Sequence, residues 1–379
     1  MLGSPLRQEA PVAEDSAGRV TIADIAREAG VSLPTVSRVL NGRSDVAAAT
    51  RRRVEDLLAE HGYRRRAAGN AHRANLVDLV FNDLDSPWAV EILRGVEKVV
   101  HAAGVGAVVS AVHHHAASMQ QWLVGVRSRN SDGAILVTSQ PAPQLDAELR
   151  RIGMPLVVID PAGVPTFDIP TIGATNWAGG RSAVLHLLGL GHRRIGMITG
   201  PPDLLCSRAR LDGYRAALES AGVEVDDALI REGDFSHESG FALGTELLTT
   251  GRPPTAVFAS SDQMALGVYE AARQCGLRVP DDLSVVGFDD LPQARWSPPP
   301  LTTVRQPLAE MGAAAAGMLL QLVQGRTPDV LRVELSTSLV VRDSSTAPPQ
   351  ASSGLGSDRG ARPGGSGSAV GRNRPTNSV

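Results

Sequence analysis

Aromatic residues and cysteines are scarce in this chain of 379 residues. Only 3% of the residues are Phe, Trp or Tyr, so a core must be built mainly from Leu, Val, Ile and Ala. The two cysteines, Cys206 and Cys275, cannot provide the disulfide framework that is typical of small secreted domains. The cysteine content therefore favours a reducing compartment.

Extended hydrophobic segments are missing as well. Residues 1–18 lack the apolar stretch of a secretory signal, and no run approaches the roughly 18 apolar residues that a membrane span requires. The phosphate-binding loop, nucleophile elbow and H-E-x-x-H motifs of common enzymes are also missing. We therefore expect a soluble cytoplasmic protein that is not an enzyme, needs no cofactor and has no membrane partner.

Lysine is absent from residues 19–75, yet this segment is the basic part of the chain. It contains 11 Arg against 6 Asp and Glu, a balance of +5. Residues 76–343 contain 21 basic and 30 acidic side chains, a balance of −9. A basic head on an acidic body indicates that only the head meets nucleic acid.

Composition and periodicity divide the chain into five segments. Residues 1–18 and the Gly/Ser/Pro/Arg-rich residues 344–379 are too poor in apolar residues to form a core, so we expect a disordered leader and a disordered tail. Residues 19–63 predict a helix-turn-helix domain. Residues 64–75 connect it to a large domain, residues 76–343.

The large domain alternates short apolar strands with amphipathic helices. Strand-like runs are 76–81, 105–110, 133–137, 155–159, 194–199, 255–260 and 283–288, and helix-like runs include 88–103, 176–190, 208–221 and 262–275. This alternation is typical of parallel sheets covered by helices on both faces, and its length suits two similar lobes. The predicted fold class is therefore α/β, with two doubly wound parallel-sheet lobes behind an all-α helix-turn-helix head. Ligands of such sheets bind beyond the carboxyl ends of the strands.

The most informative local pattern is VTIADIAREAGVSLPTVSRVLNGRSDV at residues 20–46. Thr21 and Asp24 predict a capping box, Gly30 ends the first helix, and Ser32 begins the second. Two helices joined by a short turn form a helix-turn-helix, whose second helix lies in the major groove of DNA. On this pattern alone, a generic helical hairpin is the alternative.

The second helix supplies the candidate base contacts. Leu33 can contact a thymine methyl group, and Arg38 can donate to both O6 and N7 of a guanine. Pro34 and Thr35 also lie near the base edges. Candidates for phosphate contacts are the short hydrogen-bonding side chains Thr21, Ser32, Ser37 and Asn41.

The same segment closely resembles the head of the lactose/galactose repressor (LacI/GalR) family. The shared features are V-T-I-x-D-I-A, A-G-V-S, T-V-S-R-V-L-N, T-R-x-x-V and Gly62–Tyr63, and the likeness continues through residue 343. The resemblance implies a transcription regulator, a repressor of carbohydrate-utilisation genes that binds double-stranded operator DNA as a homodimer. It also implies that the large domain has the periplasmic-binding-protein fold, dimerises and binds a small sugar-like effector, a monosaccharide, which controls DNA binding allosterically.

In this family the connecting segment is a hinge that inserts a leucine into the minor groove. Here the segment reads RRRAAGNAHRA, residues 64–74, with His72 at the leucine position. We hypothesise a shallower DNA bend, for which Arg64, Arg65 and Arg66 compensate through phosphate contacts. A solvated His72 without a role at the DNA is the alternative.

The resemblance also implies the effector-binding residues, which follow strands or open helices of the large domain. They are Asn82, Trp88, Asp160, Arg208, Ser261, Asp262, Asp289 and Gln306. Carboxylates, an arginine and an aromatic plane suit a polyhydroxylated ring, because each buried hydroxyl needs a directional partner. For any single residue, a surface ion pair or a helix cap is the alternative.

Several other interpretations remain at this point. The consecutive histidines at residues 113–115 could suggest a metal, but adjacent side chains do not easily converge on one ion, so we expect no metal site. For the whole chain, a sugar-binding transport protein and an enzyme on a Rossmann-like fold are the alternatives. The helix-turn-helix argues against the first and the missing motifs against the second. The sequence leaves open whether the effector induces or co-represses.

Overall fold

The computed structural model describes residues 21–40, 46–61, 74–113, 115–137, 153–161 and 169–349. Asn41, Arg66 and His72 lie outside these residues. The hypothesis on the bend at the hinge, residues 64–75, therefore concerns residues that are mostly outside the described ranges. The chain divides into two compact units, with the boundary between Arg73 and Ala74. Among the described residues, none of the helices has the length and apolar character to span a membrane.

The first unit contains three helices, α1 (Ile22–Ala29), α2 (Leu33–Leu40) and α3 (Ala48–Glu60). Each helix contributes one fully buried aliphatic side chain to a shared core. These side chains are Ile25, Val36 and Val54. The helix-turn-helix expected from residues 20–46 is therefore confirmed.

The ends of α1 form as the sequence predicts. The Thr21 hydroxyl accepts a hydrogen bond from Asp24 N (3.3 Å), and the Asp24 carboxylate accepts one from Thr21 N (2.9 Å). Gly30 ends the helix at φ 67°, a left-handed conformation that glycine adopts without a steric penalty.

The second unit is built from short strands and longer helices. Its strands are, in chain order, β1 (Leu76–Phe81), β2 (Gly106–Ala111), β3 (Gly133–Val137), β4 (Leu156–Ile159), β5 (Thr171–Ala174), β6 (Ile195–Thr199), β7 (Ile230–Glu232), β8 (Ala256–Ala259), β9 (Ser284–Asp289), β10 (Thr302–Arg305), β11 (Arg332–Leu335) and β12 (Ser338–Val340). Its helices are α4 (Pro87–Ala102), α5 (Ala116–Arg129), α6 (Asn176–Gly189), α7 (Leu205–Ser220), α8 (His237–Leu248), α9 (Asp262–Gln274), α10 (Pro292–Trp296) and α11 (Leu308–Val323), with a 3₁₀ turn at Asp227–Leu229.

These strands form two sheets, one in each lobe. The N-lobe sheet has the order β11-β5-β4-β3-β1-β2, with every strand pair parallel. The C-lobe sheet has the order β12-β10-β9-β8-β6-β7 and is parallel except for the β10–β12 pair. Helices α4 and α11 cover one face of the N-lobe sheet and α5 the other, while α6 and α7 face α8 and α9 across the C-lobe sheet. The expected pair of doubly wound lobes is confirmed.

The chain passes between the lobes three times: after β5, after β10 and between β11 and β12. Two of these crossings are joined, since Thr337 N donates to Thr175 Oγ1 (2.9 Å) and Thr337 Oγ1 donates to Thr175 O (3.2 Å). Hydrogen bonds therefore pair two of the three segments that connect the lobes.

The predicted disordered tail begins too early. The Ser344 carbonyl accepts a hydrogen bond from Val285 N (2.8 Å), and its fully buried hydroxyl accepts one from Thr302 N (2.8 Å). Backbone donors in β9 and at the start of β10 need acceptors, which this segment provides. The boundary at residue 344 is thus corrected: residues 344–349, named here the C-terminal strap, pack on the C-lobe.

Candidate functional site

The exposed face of α2 carries most of the residues expected at DNA. Val36 and Val39 hold the helix against the core, so Leu33, Pro34 and Arg38 lie on its exposed side. Leu33 is 45% exposed. The arrangement presents Pro34 and Arg38 one turn apart, with the apolar Leu33 beside Pro34, on the side that can face base edges.

The hydroxyl groups near α2 already have partners within the unit. Ser32 Oγ lies 2.9 Å from Thr35 Oγ1, and Thr21 Oγ1 donates to Asp24 Oδ2 (2.6 Å). Ser37 is half-buried on the same helix. The head therefore positions these groups before any DNA contact is made.

In the second unit, a buried arginine occupies the cleft between the lobes. Arg210 on α7 is 3% exposed, and its Nε donates to Asn176 Oδ1 (2.9 Å) while Nη1 donates to Ser260 O (2.6 Å). Its guanidinium carbon lies 3.8 Å from the ring centroid of Phe288 and 5.7 Å from that of Phe235. The aromatic faces and the directed acceptors hold the cation in one orientation.

Two buried carboxylates from opposite lobes share this environment. Asp160 follows β4 in the N-lobe and Asp289 ends β9 in the C-lobe, both at positive φ, 46° and 123°. Burial raises the pKa of Asp160 to about 6 and the pKa of Asp289 to about 7, and the charge of Arg210 opposes both shifts. Strained backbone and perturbed carboxylates together are typical of a functional site.

Three buried polar atoms in the second unit have no hydrogen-bond partner among the described residues and lie on elements that line the cleft. They are Ser207 Oγ, Ser260 Oγ and Gln306 Oε1. Gln306 does use its amide nitrogen, which donates to Asp289 Oδ1 (2.6 Å). Because unsatisfied buried polar groups are unfavourable, a polar ligand in the cleft would be stabilised by bonding to these atoms.

The structure places Arg208 away from this cluster. Its side chain is exposed and its Nε donates to Pro202 O (2.6 Å), whereas Arg210 is buried. Residues that are two positions apart on a helix differ by about 200° around its axis, so these arginines lie on opposite sides of α7. The structure therefore places Arg210, and not the expected Arg208, in the buried cluster.

Asp262 and Ser261 are engaged inside the C-lobe. Asp262 is fully buried and accepts from Leu291 N (2.7 Å) and from Thr303 Oγ1. Ser261 Oγ caps α9 by accepting from Met264 N (3.1 Å) and donates to Phe235 O (3.1 Å). Both residues lie where expected, but their side chains are used by the protein itself.

The other two N-lobe candidates, Asn82 and Trp88, lie at the start of the segment after β1 and in α4. Asn82 is half-buried directly after β1, and its carbonyl accepts from His113 N (2.6 Å). Trp88 is half-buried in the first turn of α4 and packs against the N-lobe core. No group of three or more potential metal-ligating side chains occurs within the described ranges.

Sequence reasoning missed Asn176, Phe235, Ser260 and Phe288 as well as Arg210. For Arg210 a signal was present: the buried face of α7 recurs every three or four residues as Cys206, Arg210, Gly213 and Ala217. Gly213 is required there, because a Cβ would lie 2.3 Å from Trp177 O of the adjacent helix. The spacing thus assigns Arg210 to the inward face.

Comparison with known proteins gives two family matches. Residues 21–66 match the family "Bacterial regulatory proteins, lacI family", and residues 184–345 match the family "Periplasmic binding protein-like domain". The regulator CelR of Thermobifida fusca is 36% identical over 342 residues, which cover 86% of this chain and 98% of CelR. The repressor CytR of Escherichia coli (strain K12) is 34% identical over 332 residues, covering 87% and 97%.

Solved structures agree with these matches. A CelR–cellobiose complex superposes with a TM-score of 0.67 at 35% identity, covering 86% of this chain and 100% of the other. A lac repressor dimer bound to operator and the anti-inducer ONPF superposes with a TM-score of 0.65 at 32% identity, covering 87% and 100%.

Proposed function

Because the chain belongs to the lacI family of bacterial regulatory proteins, we propose that it represses carbohydrate-utilisation genes in response to a sugar bound between its lobes. It is a DNA-binding transcription regulator whose relatives are named as regulators rather than enzymes. Since it acts on chromosomal DNA, it works in the cytoplasm. The homodimer follows from the two half-sites that such heads read together.

The segments receive separate tasks in this proposal. Residues 19–63 read the operator, residues 64–75 act as the hinge, and residues 76–343 bind the effector and dimerise. The C-terminal strap completes the C-lobe. Residues 1–18 precede the head.

At the DNA, α2 enters the major groove. Leu33 contacts a thymine methyl group and Arg38 reads a guanine, with Pro34 and Thr35 at the base edges. The phosphate contacts come from Thr21, Ser32, Ser37 and Asn41, and Arg66 and His72 act at the hinge. The exposure of Leu33 and Arg38 on the side of α2 opposite its core supports this placement.

In the cleft, Arg210 and the carboxylates of Asp160 and Asp289 bind the hydroxyl groups of the sugar. The single observation that carries this assignment is the buried Arg210, which donates to Ser260 O in a cleft where Ser260 Oγ and Gln306 Oε1 have no partner among the described residues. A polyhydroxylated ligand supplies both donors and acceptors, which this mixed set requires. Phe235, Trp88 and Asn82 line the remaining faces of the sugar.

Control of DNA binding follows from the two-lobe geometry. A sugar that contacts Asp160 in one lobe and Arg210 in the other favours the arrangement in which both contacts are made. Moving a conformational equilibrium from 1:99 to 99:1 needs about 5.5 kcal/mol of preference for one state. Several charge-assisted hydrogen bonds across the lobes can supply a preference of this size.

The proposal is tested by a gel shift on the full chain. DNA from the region upstream of its own gene is compared with scrambled DNA, with and without cellobiose, ribose and other plain sugars. We expect preferential binding to the upstream DNA and a change in that binding with at least one sugar. The direction of the change distinguishes an inducer from a co-repressor. Equal binding to both DNAs, or no response to any sugar, would refute the proposal.

A further inference from the structure

One hydrogen bond connects the two walls of the cleft directly. Ser86, which precedes α4 in the N-lobe, donates from Oγ to Gln263 Oε1 on α9 of the C-lobe, at 2.8 Å. The same hydroxyl accepts from Trp88 N (3.2 Å) as the N-cap of α4. The cap fixes the position of the oxygen, and its single proton is directed across the cleft.

The preceding residue on α9 makes a second connection between the lobes. Asp262 accepts from Leu291 N (2.7 Å) in the segment between β9 and α10 of the C-lobe. The Leu291 side chain, however, is 1% exposed and belongs to the core of the N-lobe, together with Phe81 and Leu308. Asp262 therefore positions a C-lobe backbone segment whose side chain is buried in the other lobe.

These contacts are joined to the cleft through the cap of α9. Ser261 Oγ donates to Phe235 O, and the Phe235 ring lies 5.7 Å from the guanidinium of Arg210. Opening the lobes requires loss of the Ser86–Gln263 hydrogen bond and withdrawal of Leu291 from an apolar core. Both costs arise outside the sugar contacts that we assign to Arg210, Asp160 and Asp289.

We propose that Ser86, Asp262, Gln263 and Leu291 form a cross-lobe clasp that sets how far the cleft is closed, with Asp262 and Gln263 as positioning residues rather than effector ligands. The inference deepens the proposed function, on which it rests for what the closure serves. The clasp holds the walls together through α9, so its strength fixes the starting point from which the effector shifts the lobes.

The clasp is tested by distance measurements between spin labels on the full chain in the absence of sugar. Labels are attached at Val90→Cys on α4 and Glu238→Cys on α8, both exposed positions, in a Cys275→Ser background. The tested variants are Gln263→Met and Ser86→Ala. Gln263→Glu keeps an acceptor for Ser86, and Gln274→Met makes the same Gln-to-Met change at the exposed end of α9.

We expect Gln263→Met and Ser86→Ala to shift the distance distribution to longer values by a similar amount, and the double variant to shift it no further. Gln263→Glu and Gln274→Met should match the parent. Circular dichroism confirms that each variant is folded. Parent-like distances in both Gln263→Met and Ser86→Ala would overturn the clasp and leave the proposed function standing. If no sugar changed DNA binding, the proposed function would be refuted, but the distances measured without sugar would still test the clasp.

Discussion

Arg210 is the residue around which the cleft is organised. A guanidinium that is only 3% exposed must have its charge and its donors compensated, and here Asn176, Ser260 and the rings of two phenylalanines do so. The geometry leaves the buried carboxylates Asp160 and Asp289 close enough for their pKa values to respond to its charge.

Arg210 and Arg208 provide a matched pair for testing the effector site. Arg210→Lys retains the charge but loses the planar fork, so we expect it to weaken sugar binding at least roughly tenfold. Arg208→Lys changes an exposed side chain on the opposite side of the same helix and should bind like the parent. Isothermal titration of both variants with the sugar that acts in the gel shift decides this. Equal losses in the two variants would contradict the assignment.

The burial of Asp289 predicts how the stability of the protein depends on pH. Its pKa is raised by burial to about 7 in the folded chain from an ordinary 3.8, so the folded state binds more protons over this interval. The associated stability is fully present below the ordinary pKa and is lost as the pH rises through about 7. Asp289→Asn removes the charge and keeps an acceptor for Gln306.

We therefore expect the stability of Asp289→Asn relative to the parent to rise by about 3 kcal/mol between about pH 5 and about pH 8. Thermal unfolding at the two pH values measures the difference. An advantage that is the same at both values would show that the carboxyl does not titrate between them.

Some residue roles could be predicted from sequence and others could not. The capping box of Thr21 and the end of α1 at Gly30 are local, since each depends on residues within one turn. The burial of Arg210 could also have been predicted, because the helical period of α7 places this residue on the buried face of the helix. The role of Asp262 was not, because its partners Leu291 and Thr303 are brought to it only by the sheet.

At the scale of elements, the C-terminal strap is an unexpected part of the C-lobe. Beyond its Ser344 contacts, Thr346 N donates to Ser284 Oγ (3.0 Å) and Thr346 O accepts from Nε2 of the buried His192 (2.8 Å). These bonds satisfy polar groups that the sheet alone would leave buried.

Two truncations separate the strap from the chain that follows it. Ending the chain after residue 343 removes at least three buried hydrogen bonds of Ser344, each with a net value of about 1 kcal/mol, so we expect a clear fall in the unfolding temperature. Ending it after residue 349 retains the strap and should leave the unfolding temperature of the C-lobe unchanged. Similar unfolding of the two products would show that the strap adds no stability.

The exposed face of α2 allows a test of base recognition. Arg38→Ala should reduce discrimination at one base pair of each half-site by about 1–3 kcal/mol. Arg27→Ala is a suitable control, because Arg27 is an exposed arginine on α1 that pairs with Asp24. Binding to a set of singly substituted operators measures the effect. A uniform loss across all base pairs would assign Arg38 to phosphate contact instead.

Long apolar runs between polar segments were the predictable elements. The apolar runs 76–81 and 133–137 coincide with β1 and β3, which are parallel strands inside the sheet. The missed strands β5, β7, β10, β11 and β12 have three or four residues each. β11 pairs with β5 across more than half of the second unit, and no local pattern specifies such a partner.

At the scale of the whole molecule, a DNA-binding head is joined to an effector-binding domain of two lobes. The second unit has the features that such control needs: two lobes, three crossings, a charged cleft and a clasp that bridges it. The family resemblance in the sequence predicted the two lobes and the head, whereas the clasp depends on contacts that only the folded chain reveals.

The most direct test of this account is the affinity of the full chain for its operator, measured by fluorescence anisotropy with and without the active sugar, in the parent and in Arg210→Lys. The account predicts that sugar changes the operator affinity of the parent by at least roughly fivefold, within the usual range of allosteric coupling. Arg210→Lys should bind the operator like the sugar-free parent and ignore sugar at the same concentration. An undiminished sugar response in Arg210→Lys would contradict the account.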